Sequence, residues 1–106
     1  MIVDISHNTN YEATIILQEK IFVEDAFVLK KHLNDLLLKN IKIFIFNLEK
    51  VTYIDCAFIS VLTYLKNKMY SNIIINNVSK EFKEYFDIWQ QTHGTIDVTY
   101  VWNMMD

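Results

Sequence analysis

The apolar positions of the chain change period several times, and each change marks a new element. Ile2 to His7 and Ala13 to Gln18 are apolar runs flanking Asn8-Thr9-Asn10, which predicts two antiparallel strands joined by a short turn. From Asp25 the set Ala26, Leu29, Leu33, Leu36 and Leu37 recurs at helical spacing, with Asn40 as the stop. Ile41 to Leu48 is a nearly uninterrupted β-branched and aromatic run, the pattern of a central strand covered on both faces. A short polar kink follows, and Asp55 then opens a second apolar helix that runs to about Met69. Asn72 to Val78 reads as another strand, and Ser79 is placed to cap a third helix. In that helix Phe82, Tyr85, Phe86 and Trp89 follow the i, i+3, i+4, i+7 rule, and Gln90 to Gly94 end it. Ile96, Val98, Tyr100 and Trp102 alternate with mostly polar neighbours, as in a strand with one wet face. The resulting order β-β-α-β-α-β-α-β predicts one α/β domain over residues 1–106, with an N-terminal hairpin, a mixed sheet and helices packed on it.

Composition agrees with a self-sufficient core. At 106 residues, 52% hydrophobic content is enough to bury a core without staples, and a single Cys excludes an internal disulfide. No apolar run approaches the ~18–20 residues that span a bilayer, so no direct membrane insertion is expected. The opening Met1-Ile2-Val3-Asp4 lacks the charged start and long apolar centre of a signal peptide, and a cytoplasmic protein is the simplest expectation.

Charge removes further classes. A net charge of −3 is the wrong sign for general nucleic-acid binding. All ten basic residues are Lys, so the forked guanidinium that clamps phosphate is missing. One Gly, Gly94, rules out a glycine-rich phosphate loop. With no Pro and a single Gly, Asn is expected at the positive-φ turn positions, among Asn8, Asn10, Asn40, Asn67, Asn72, Asn76 and Asn77. His7, His32 and His93 lie in different segments without ligand spacing, so neither a metal nor another cofactor is expected.

The chemistry worth following is at the start of the second helix, where Asp55 and Cys56 stand together. Free N–H groups and the positive end of the helix dipole suit an anion or a partner's carboxylate. Asp55 is also a favoured N-cap and has that structural role whatever else it does. Cys56 at a helix start is a candidate nucleophile or redox sensor, yet the neighbouring Asp55 opposes its thiolate, and a small buried or half-buried packing thiol is the simpler expectation. The next residues, Ala57, Phe58, Ile59, Val61, Leu62, Tyr64 and Leu65, occupy nearly every angular position of the first two turns. One core stripe needs fewer, so either neighbouring helices cover the remainder or an apolar patch is left for a partner.

Element order and this corner together resemble a STAS domain, the fold of bacterial anti-sigma factor antagonists and of the cytoplasmic tails of sulphate transporters. The family carries a strand ending D-L-S-x-V-x-x-I-D-S-S-G-L before a helix, and Asn47-Leu48-Glu49-Lys50-Val51-Thr52-Tyr53-Ile54-Asp55-Cys56-Ala57-Phe58-Ile59 occupies that stretch here. Val51, Ile54 and Asp55 match. The resemblance implies that Cys56 stands where phospho-switched members carry the phosphoacceptor Ser, with Ala57 and Phe58 in place of the next Ser and Gly. A thiol does not serve a Ser/Thr kinase in that switch. The family's G-x-L-D before the first helix is also replaced, by Glu19-Lys20-Ile21-Phe22.

Two function classes follow. The first, implied by the resemblance, is a non-catalytic protein-interaction module of transcription regulation, not phospho-switched at Cys56. Its partner would be an anti-sigma kinase-like protein, or a second copy of the chain, docking on Asp55, Cys56, Ala57, Phe58 and Ser60. A variant of that class is a STAS subunit seated on the ATPase of a phospholipid-transport ABC complex. The second class is a redox sensor or small enzyme using Cys56, which is weakened by the absence of a paired base and of a second, resolving Cys.

Overall fold

Five strands form one sheet in the order β1-β2-β3-β4-β5, with β1 (Ile2–His7) antiparallel to β2 (Glu12–Ile21) and all later pairs parallel. The computed structural model describes residues 2–69, 72–93 and 99–102. The helices α1 (Val23–Leu38), α2 (Cys56–Met69) and α3 (Lys80–His93) alternate with β3 (Ile43–Ile54), β4 (Asn72–Val78) and β5 (Thr99–Trp102). Strands added one after another in the same direction, through right-handed crossovers, put all three helices on one face. The predicted order and the central place of β3 are both observed. Of the predicted last strand, Ile96 and Val98 lie outside the described residues.

Covering β3 on both faces, as its composition suggested, is not what the structure shows. Phe44, Phe46 and Leu48 are buried against the helices, whereas Ile43, Ile45 and Asn47 on the opposite face are only half-buried. An unbroken apolar run does not encode sidedness; the one-sided placement of the crossovers decides it. The helix-side core joins Ile15 and Leu17 of β2, Phe44 and Phe46 of β3, Ile73 and Ile75 of β4, and the inner stripes of all three helices.

Local signals account for the helix ends. α1 begins two residues before Asp25, whose carboxylate reaches back to accept the Phe22 N–H at 2.9 Å. It ends in a Schellman motif: Asn40 at φ 66° donates to the Leu37 carbonyl, Ile41 donates to that of Leu36, and both Leu36 and Ile41 are buried. Ser79 caps α3, its hydroxyl accepting the Phe82 N–H at 3.1 Å. Asn40 and Asn77 are two of the expected positive-φ asparagines; the third positive-φ residue among those described is Glu19, at φ 60°.

That glutamate lies in the part of β2 that steers β3. Pairing advances one extra residue in β3 between Ile16 and Gln18, and again between Glu19 and Lys20, so β3 stays on β2 as far as Ile21↔Ile54. Its pairing with β4 ends at Asn47↔Asn76. The stretch from Glu49 to Ile54, expected to be a kink, is therefore strand held from one side only. Asn47 marks the fork: its Oδ1 accepts both the Glu49 N–H at 3.0 Å and the Asn77 side-chain amide at 2.9 Å.

Candidate functional site

The long tail of β3 delivers Asp55 to the rim of the sheet, where the Asp55 N–H is tied to the Ile21 carbonyl at 2.9 Å. There the carboxylate caps α2. Asp55 Oδ1 accepts the Ala57 N–H at 3.0 Å and the Cys56 thiol at 3.3 Å, while the Asp55 carbonyl takes the Phe58 N–H. The Ala57 hydrogen bond, first, and the Cys56 thiol, second, hold the Asp55 carboxyl below its ordinary range. The same thiol contact acts in reverse on Cys56, pushing its pKa up, with desolvation and the negative charge of Asp55 adding in the same direction. Cys56 is exposed rather than packed. An accessible thiol that is disfavoured as a thiolate is a poor nucleophile.

The residues expected to face a partner divide in two. Cys56 and Ser60 are exposed and Asp55 and Ala57 half-buried, so four of them do line one corner. Phe58 does not join them. It is fully buried, edge-on to Phe46 of β3 with centroids 5.6 Å apart and 6.3 Å from Phe82 of α3. One residue after Ala57, the helix turns Phe58 by about 100° toward the sheet, where an aromatic ring has both apolar cover and ring partners. The surplus apolar positions of α2 are likewise covered, with Phe58, Ile59, Val61, Leu62 and Leu65 all in the core. Against α1, Tyr64 completes the fit by bonding the Asn34 side chain and lying under the Lys30 ammonium, 4.2 Å from the ring centroid.

Exposed apolar surface near the corner comes instead from its neighbours. Phe27 is 73% exposed, and Val23 beside it also faces out. With Ala57, Ser60 and Val61 they line a shallow groove of about 280 Å³ between α1 and α2. On the other side, the rings of Phe22 and Tyr53 meet at a tilt with centroids 5.6 Å apart, and Tyr53 and Tyr85 line a second groove of about 470 Å³ between the tail of β3 and the start of α3. Burial raises the Tyr85 pKa, and the anionic forms of Cys56, Asp55 and Tyr53 raise it further, which places its phenol beside the Asp55 corner. Val23 and Phe27 were detectable in the sequence as large apolar residues off the Ala26-Leu29-Leu33 stripe. Tyr85 gave no such signal, because it falls on the stripe of α3.

No group of three or more His, Cys, Asp or Glu able to hold a metal ion occurs among the described residues, and the three histidines sit on β1, α1 and α3. No helix among them is long and apolar enough to cross a membrane.

A family model described as STAS domain matches residues 3–93. Solved structures that share the fold include two of SpoIIAA. The anti-sigma factor antagonist SpoIIAA in its unphosphorylated form superposes with a TM-score of 0.73 at 11% identity, over 92% of this chain and 86% of the other. The Bacillus cell fate determinant SpoIIAA in the phosphorylated form superposes with a TM-score of 0.70, also at 11% identity, over 92% and 89%. No curated protein matches the sequence.

Proposed function

The chain belongs to the STAS domain family, and from that premise we propose that it is a non-catalytic docking module whose partner contacts the Asp55 corner and the exposed apolar residues of α1 beside it. The observation that carries this reading is the exposure of Val23 and Phe27 in one groove with Ala57 and Ser60, on the first turns of the helix that follows the acceptor position implied by the family resemblance. Large apolar side chains left in water around a shallow groove are the usual anchors of a protein interface.

On this reading the partner is an anti-sigma kinase-like protein, and the phospho-switch is absent from the corner. Cys56 takes the acceptor position. Ser60, one turn on, points its hydroxyl back at the Cys56 carbonyl at 3.5 Å, inside a formed helix. A redox role for Cys56 is disfavoured by its raised pKa and by the lack of a second Cys in the chain.

The test is a binding titration of the wild type and Phe27→Ser against an anti-sigma kinase, with ATP added in a parallel series. Phe27→Ser should keep the wild-type melting temperature and weaken binding by about tenfold or more, the scale of a lost aromatic anchor. ATP should leave residues 55–60 unmodified. Stoichiometric phosphate on Ser60 would restore the switch. Recovery of a transport ATPase as the stable partner, with no affinity for the kinase, would assign the chain to the transporter branch of the family.

A further inference from the structure

The fork at Asn47 leaves a groove that the docking of a flat partner surface does not require. Its floor is apolar, formed by Leu48, Val51 and Phe82, and its walls carry the rings of Tyr53 and Tyr85, 49% and 42% exposed. Two carboxylates line it as well, Glu49 from β3 and Glu81 from the first turn of α3, both exposed. Among the described residues no lysine lines it: Lys50 and Lys80, the sequence neighbours of the two glutamates, are not part of the lining. The groove thus combines, among the described residues, an apolar floor, two tyrosine rings and two carboxylates with no lysine in its lining, in about 470 Å³.

We propose that this groove receives an arginine side chain of the protein partner. An arginine has the complementary parts in the same order, a three-carbon apolar stem and a planar cation that stacks on tyrosine and bonds carboxylates in a fork. A carboxylate or phosphate ligand meets repulsion from Glu49 and Glu81. A purely apolar ligand leaves both glutamates beside a desolvated surface. The chain contains no arginine of its own, so a second copy does not supply the group. The inference rests on the reading of the chain as a docking module and names the chemistry of one contact.

The experiment needs no partner protein, so its failure is separate from failure of the docking reading. The amide resonances of the full chain are followed while the acetylated peptide amide Leu-Arg-Leu is titrated in, and again with citrulline in place of arginine. Citrulline keeps the shape and removes the charge. Shifts from the arginine peptide should centre on residues 48–54 and 77–85, and the citrulline peptide should bind about tenfold more weakly. The double variant Glu49→Gln, Glu81→Gln should bring the two peptides to equal affinity with an unchanged amide spectrum in the core. Equal binding of both peptides by the wild type, shifts centred elsewhere, or no shifts at all would overturn the proposal.

Discussion

The Cys56 thiol donates a hydrogen bond to the Asp55 carboxylate across 3.3 Å, and through that contact the cap of α2 sets the reactivity of the exposed sulfur. Each residue shifts the other. The bond favours ionised Asp55 and protonated Cys56, so the pair carries one negative charge, on oxygen, over the neutral range.

Cys56 should react slowly with iodoacetamide despite its exposure. Its pKa lies above the ordinary 9.0, so at pH 8 the thiolate fraction is smaller than that of an unstructured cysteine peptide. Alkylation followed by mass spectrometry from pH 7 to 10 should place the midpoint of the rate profile above the peptide's. Asp55→Asn removes the charge and should move that midpoint down.

Acid should weaken the α2 cap with a definite sign. Asp55 titrates below its unfolded value of 3.8, so its contribution to stability is present above that pH and is lost as pH falls through the lowered value. Asp55→Ala should therefore melt below the wild type at pH 7, and the gap should close in scans taken progressively below pH 3.8. A gap independent of pH would mean that the carboxylate is not the capping group.

Glu19→Gly should stabilise the protein. Glu19 sits at φ 60°, in the left-handed region, where a residue with a Cβ is strained by about 1 kcal/mol and glycine is not. The gain, read from urea unfolding, is expected at up to about 1 kcal/mol, because the greater freedom of glycine in the unfolded chain offsets part of it. Glu19→Ala keeps the Cβ and should show no such gain. The family resemblance implies that Glu19 stands where the G-x-L-D motif has its glycine, and a φ of 60° is a physical reason for glycine at such a position.

Phe58→Ala should cost roughly 3–5 kcal/mol, a large share of the ~5–15 kcal/mol that stabilises a domain of this kind. The ring leaves a cavity between Phe46 and Phe82, both of which it touches edge-on or tilted. Denaturant melts of the variant, with Phe58→Leu as a milder companion, would measure the loss. A Phe58→Ala protein as stable as the wild type would return this residue to the surface.

Features set by neighbouring residues were legible in the sequence. Asp55 and Ser79 cap helices because a short polar side chain reaches an N–H two or three residues on. Asn40 stops α1 because it tolerates the left-handed region, and the inner stripe of α1 follows from helical spacing alone. The element order, and with it the family, rests on these local rules. What they do not contain is the choice among partners far apart in the chain. Whether Phe58 is a surface anchor or a core ring depended on Phe46 and Phe82 arriving against it. The length of β3 depended on its shifted register with β2, which carries it past the end of β4 and opens the groove at Asn47. The half-buried face of the sheet, and the exposure of Tyr85 and Cys56, depended on what the rest of the fold left uncovered. Periodicity records which residues share a face of one element; burial is decided by what that face meets, and only the assembled tertiary structure brings those surfaces together.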